Sequence, residues 1–143
     1  LVDVSHLNDE GFNDVASISR KPFVASHSNC RSITNHSRNL SDRMIRTIAD
    51  KGGVVGLNFC PSFLSEDWMR SSIEAMVRHA VHLKQVGGSA VTALGTDYDG
   101  ITGELEIPHY DALSLLWQAL EKSGFTSSEL QAMWFENALR VFS

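Results

Sequence analysis

Cysteine is scarce in this chain, with two among 143 residues, Cys30 and Cys60. Neither has a CxxC partner, so no disulfide framework can be built, and both are expected as free thiols. Long apolar runs are also missing. No stretch approaches the roughly 20 residues of a membrane span, so no membrane segment is expected. Basic clusters are absent too. With a formal charge of -5 and a pI near 5.6, no phosphate-binding stripe forms and nucleic acid is not expected as a partner. No signal peptide is visible, and a cytoplasmic location is the favoured expectation. Low-complexity segments are lacking, and so is a leading turn. The chain opens on Leu1-Val2-Asp3-Val4, in mid-strand, which predicts one piece of a longer polypeptide.

What is present is a 43% hydrophobic content, enough for one packed core, arranged as alternating short apolar runs and amphipathic stretches. Residues 1–5 read as a strand and 8–19 as a helix capped by Asn8 or Asp9. Pro22 breaks the chain before a strand at 23–26. Residues 28–40 form a polar loop long enough to be functional. Ser41-Asp42 opens a helix with Met44, Ile45, Ile48 and Ala49 on one face, and Gly52-Gly53 ends it. A strand at 54–59 and a loop at 60–68 follow. The next helix covers 71–86, with Gly87-Gly88 as its stop, and a buried strand covers 90–95. Residues 98–108 read as a loop and 109–123 as a helix. Thr126-Ser127-Ser128-Glu129 matches a capping box for the last helix.

The order β-α-β-α-β-α-β-α-α predicts an α/β fold with a parallel sheet. Four βα units make half of a TIM-like (β/α)8 barrel. Residues 1–143 are then a single partial domain with two open sheet edges, an aggregation or pairing liability. Apolar surface beyond the few hundred Å2 a monomer tolerates should be exposed.

Three of the strands deliver polar residues at their C-terminal ends, where barrels of this kind place their chemistry. His6 and His27 end the first two. Adjacent strands lie about 5 Å apart, so both imidazoles could reach one zinc at about 2.0–2.1 Å; each could also be a plain polar residue at a strand end. Asp97, in Gly95-Thr96-Asp97-Tyr98-Asp99-Gly100, could point into the same bowl by strand alternation and handle a proton near a metal-bound water. A turn aspartate is the alternative, and it fits Asp99 better. Arg38 is suited to a bidentate grip on a carboxylate, although spacing alone also allows a solvated loop arginine. His36 carries a weaker signal still. His79 and His82 read as the solvated face of an amphipathic helix. Cys30 has no pattern supporting a nucleophile.

Together, Asp3-Val4-Ser5-His6, Ser26-His27-Ser28, Ser37-Arg38-Asn39, the Gly95–Gly100 segment and the closing Glu136-Asn137-Ala138-Leu139-Arg140-Val141-Phe142 resemble the C-terminal half of the membrane (renal) dipeptidase family. These are zinc metallopeptidases of the amidohydrolase superfamily. The resemblance implies a metallo-dependent hydrolase barrel whose N-terminal half is absent, and a Zn2+ pair in the complete protein. It implies that a metal-bound hydroxide attacks a dipeptide carbonyl. His6 and His27 would hold one zinc, Asp97 would handle the proton, and Arg38 would hold the substrate's terminal carboxylate. The family's His-x-Asp, bridging Glu and a further substrate-side His have no counterpart here. Two alternatives stay open. One is a catalytically incomplete half-barrel that acts only with the missing half or a partner chain, such as a homo-oligomer. The other is an amidohydrolase acting on a cyclic amide or lactone, which the Arg38 loop disfavours.

Overall fold

The computed structural model describes residues 1–143. Asn8 accepts from the Gly11 N–H and starts α1 (Asp9–Ile18). Ser41 accepts from the Met44 N–H and starts α2 (Asp42–Asp50). Each cap satisfies one of the amide donors that a helix start leaves without an internal partner. The apolar run after Gly52-Gly53 forms β1 (Val55–Leu57). A short helix with proline at its first position, α3 (Pro61–Leu64), follows, then β2 (Arg70–Ser71). Ser72 caps α4 (Ile73–Gly87). After a 3-10 turn the chain enters β3 (Thr92–Leu94), then β4 (Glu104–Leu105) and α5 (Leu113–Lys122). The predicted capping box is present, with Thr126 and Glu129 bonding reciprocally at the start of α6 (Ser127–Gln131). A π-helical segment, Ala132–Glu136, separates it from α7 (Asn137–Phe142).

The main sheet is parallel. Val55, Gly56 and Leu57 of β1 stand opposite Thr92, Ala93 and Leu94 of β3. Ala25 bridges to Val55 and Asp3 bridges to Val24, both parallel. Four successive segments thus lie side by side in chain order, joined by helical crossovers. The first two are narrower than the predicted strands. Residues 2–4 hold on by Val4 N–H to Val24 O at 2.8 Å and Val24 N–H to Val2 O at 2.9 Å. Extended pairing stops there because the side chains of Asp3 and Ser5 take over the bonding, as described below.

Alternation along these segments splits the core between two faces. Phe23, Ala25 and Val55 face the helices and pack with Phe12, Met44, Ile45 and Ile48. Leu57 and Phe59 pack with Met76, Ala80, Leu116, Leu120 and Met133 in a second cluster. Each such fully buried side chain contributes about 1.5–3 kcal/mol. On the other face only Val24, Val54 and Ala93 cluster, against Val141. That face is strongly curled. A Cβ on Gly56 would lie 2.0 Å from Ser26 O, and one on Gly95 only 1.9 Å from the same oxygen. The missing side chains let the end of β3 reach across β1 to the second segment.

Four expectations need correction. The loop at 60–68 contains α3, because Pro61 supplies a preset first-turn φ. The loop at 98–108 contains β4, which pairs in parallel with β2. The last helix is interrupted by its π segment. The fourth concerns His79, which is not on a solvated face: it is fully buried. The 28–40 loop folds back over α4, so the Cys30 N–H donates to His79 Nδ1 at 3.0 Å and His79 Nε2 donates to Leu64 O at 3.0 Å. His82, three residues on, is partly exposed and pairs with Asp42 at 2.8 Å. Both cysteines are free. Cys30 is buried, which pushes its thiol up and leaves it inert. No helix is long and apolar enough to cross a membrane.

Candidate metal and catalytic site

The second segment of the sheet ends at Ser26, and the backbone turns away through the tight approach of Gly56 and Gly95. This delivers His27 beside His6 from the first segment. Their Nε2 atoms are 2.9 Å apart and their ring centroids 4.9 Å apart. Two nitrogens sharing a tetrahedral zinc at about 2.05 Å would stand about 3.3 Å apart, so a small ring rotation would suffice. Burial holds the His27 pKa below its usual value, against the opposing pull of Asp97 and Asp3. The imidazole is therefore neutral near pH 7, the form that ligates metals.

Behind His27 lies the carboxylate of Asp3. Ser26 Oγ lies 2.7 Å from His27 Nδ1 and donates to Asp3 Oδ2. Asp3 Oδ1 accepts from the Ser5 N–H at 3.0 Å, the Ser5 hydroxyl at 2.8 Å and the Ser26 N–H at 3.0 Å. Burial works to raise the Asp3 pKa, but the bonds from Ser26 and Ser5 outweigh it and keep it low. Serines flanking both histidines were the only trace of this network in the sequence.

Asp97 reaches the site by a different route from the one predicted. β3 ends at Leu94, and Asp97 has φ +62°, in the left-handed region. Strand alternation therefore does not aim it. Aspartate tolerates this conformation better than most residues. Its carboxylate packs so closely on Gly100 that a Cβ there would meet Asp97 Oδ1 at 2.4 Å, and Asp97 Oδ2 accepts from Asn58 Nδ2 at 3.1 Å. Asn58 is fully buried. It is held in turn by Asn29, whose Oδ1 accepts the Asn58 N–H at 3.0 Å. Neither asparagine carried a recognisable signal in the sequence. Asp97, His27 and Ser26 share one open cavity of about 460 Å3, with Tyr110 and Trp134 on its wall.

Arg38 is not a freely solvated loop residue. Its Nε donates to Ser5 O at 2.8 Å, next to His6, and its guanidinium lies 5.2 Å from the Phe63 ring centre. One terminal nitrogen is buried with no partner.

The donor set suits a metal only in part. Two imidazoles converge, one of them anchored from behind through Ser26. No group of three or more His, Cys, Asp or Glu side chains gathers around a common point. The residues fit half of a metal centre.

The chain is similar to several known proteins. The family model for membrane dipeptidases, peptidase family M19, matches residues 1–143. An uncharacterised Klebsiella pneumoniae protein encoded in the pqqA 5′ region is 40% identical over 98% of this chain, which spans 53% of its length. An uncharacterised dipeptidase of Schizosaccharomyces pombe is 29% identical over 99% of this chain, which spans 35% of its length. A Rhodobacter sphaeroides metallopeptidase, crystallised with a phosphinate mimic of the dipeptide L-Ala-D-Ala, superposes with a TM-score of 0.91 at 38% identity. That match covers 99% of this chain and 41% of the other. The chain thus spans about half the length, or less, of the relatives it matches.

Proposed function

Because this chain belongs to the membrane dipeptidase family, peptidase family M19, we propose that the protein it is part of is a zinc-dependent dipeptidase. The observation that carries this reading is the convergence of His6 and His27, Nε2 to Nε2 at 2.9 Å, on a rim that also holds Asp97 and Arg38. The family is one of metallopeptidases, which supports a metal cofactor, and two convergent imidazoles suit zinc. A bound zinc pair would lower the pKa of a shared water to about 7 and polarise the scissile carbonyl.

The chain's own residues supply the rest. His6 and His27 would hold one ion. Asp97, aimed by Asn58 and Gly100, takes a proton from the attacking water and returns it to the leaving amine. Arg38, whose guanidinium stands next to His6, would hold the substrate's terminal carboxylate, which favours short peptides with a free C-terminus over internal bonds. The dipeptide mimic bound by the Rhodobacter relative supports this substrate class.

In architecture we read the chain as the C-terminal half of a (β/α)8 barrel. Four parallel segments in chain order support this, as does a concave face bearing only three buried apolar residues. Exposed Leu1, Val2 and Phe142 add to it. The other half would supply the remaining ligands. A second reading is favoured by the absence of a three-ligand cluster: this chain by itself is a catalytically incomplete half that works only with its missing half or a partner chain, a second copy included.

Zinc per chain after loading and desalting separates the two. Two tightly held ions with turnover of L-Ala-D-Ala support a complete site. One ion or none, without turnover, identifies an orphan half-site. In the active protein, Arg38→Ala is expected to raise KM for dipeptides by about 10- to 100-fold while zinc content stays constant. Unchanged kinetics would remove Arg38 from the site.

A further inference from the structure

We infer that Asp3, acting through the Ser26 hydroxyl, fixes His27 in the tautomer protonated at Nδ1 and so presents an unprotonated Nε2 to the metal position. This rests on the reading of His27 as a zinc ligand. Asp3 and Ser26 are positioning residues, since neither touches the metal position.

The argument is a count of protons. A serine hydroxyl has one. Ser26 Oγ has three polar neighbours: Asp3 Oδ2, His27 Nδ1 at 2.7 Å and Ser5 Oγ at 3.4 Å. An ionised carboxylate can only accept, so the Ser26 proton goes to Asp3, the strongest acceptor of the three. Ser5 cannot change this. Its own proton goes to Asp3 Oδ1 at 2.8 Å, and its oxygen accepts the His27 backbone N–H at 3.0 Å. The contact of 2.7 Å between Ser26 Oγ and His27 Nδ1 is then a hydrogen bond only if the ring nitrogen carries the hydrogen. A neutral imidazole with Nδ1 protonated has its lone pair on Nε2. The arrangement is the carboxylate–histidine–metal pattern with a serine inserted as a relay.

His6 shows the contrast. It meets His27 at Nε2, and with the lone pair of His27 placed there, His6 is the donor. The pair is unequal: His27 is preset for a metal, and His6 adapts.

The test uses isosteric chemistry. In Asp3→Asn the three donors that converge on Oδ1 hold the amide oxygen in that position, so the NH2 group takes the place of Oδ2. It now donates to Ser26, the Ser26 proton turns to His27 Nδ1, and the ring proton is driven onto Nε2. Long-range 1H–15N correlation spectra of the full, metal-free protein read the tautomer directly. The expected result is Nδ1–H in the native protein and Nε2–H in Asp3→Asn, with zinc affinity reduced 10- to 100-fold in competition with a chromogenic chelator. Ser26→Thr, which keeps the hydroxyl, should retain the native tautomer and affinity. Ser26→Ala should show mixed tautomers and weaker binding. Should Asp3→Asn fail to fold, the Ser26→Ala and Ser26→Thr pair decides alone. Unchanged tautomer and affinity in Ser26→Ala would overturn the relay. His27→Ala separates the two levels: zinc binding lost in His27→Ala but kept in the relay variants sinks the relay alone. Zinc binding untouched by His27→Ala sinks the ligand reading, and the relay with it.

Discussion

The two faces of the sheet use histidine in opposite ways. Under the helices, His79 is fully buried and both ring nitrogens are spent, one on Cys30 N–H and one on Leu64 O. At the strand ends, His6 and His27 meet each other at Nε2, and the only other ring partner is the Ser26 hydroxyl at His27 Nδ1. The first arrangement ties the 28–40 loop to α4 and α3. The second leaves lone-pair capacity at an open rim. A buried histidine whose bonds are complete is structural, whereas a convergent pair with unfinished bonding is where chemistry can enter. Between the extremes stands His82, partly exposed and paired with Asp42 at 2.8 Å.

The comparison breaks most sharply at His79. His79→Ala leaves a cavity and strands a buried N–H and a buried C=O, so a loss of about 3–5 kcal/mol is expected in urea unfolding. Metal affinity of the folded fraction should hardly change. Acid offers a milder version of the same test. Burial lowers the His79 pKa from 6.5 to about 4. The neutral ring's contribution is therefore complete above pH 6.5 and is lost as pH falls toward about 4, where protonation in the unfolded state is favoured. Unfolding midpoints across that window should drop, by about 3 kcal/mol at most, and His79→Gln should flatten the slope.

On the other face, His27→Ala should cost more than about 100-fold in zinc affinity, beyond what a change behind a ligand costs. The metal-free protein should lose less than about 1 kcal/mol, as at other open positions. If stability collapses instead, the division between the two faces is wrong. The smallest effect belongs to the intermediate case. The His82 bond outweighs burial and holds the Asp42 carboxyl below its usual range. Its contribution is present above that range and fades as pH falls through the depressed value. Asp42→Asn should cost under about 1 kcal/mol and leave metal affinity alone.

The alternation of strands and helices was legible in the sequence because capping serines, Gly-Gly stops and helical periodicity act locally. Asn8, Ser41 and the Thr126–Glu129 box all cap as expected. His6 and His27 could be singled out because strand ends are recognisable, and the sheet does bring them together. What could not be read depends on contacts far apart in the chain. His79 has the periodicity of a surface position, and only the fold-back of the 28–40 loop buries it. Asp97 follows Gly95-Thr96 in a run that looks like strand, yet its direction comes from a left-handed residue, Gly100 and an asparagine 39 positions away. Asp3 looked like a strand residue, because its partner Ser26 is 23 residues distant.

The first segment of the sheet is joined to the second by two backbone hydrogen bonds, and it carries both Asp3 and His6. An ion gripped by His6 and His27 would clasp two positions 21 residues apart, as a crosslink closes a loop and trims the freedom of the unfolded chain. Separation of the two segments and escape of such an ion would then be a single event.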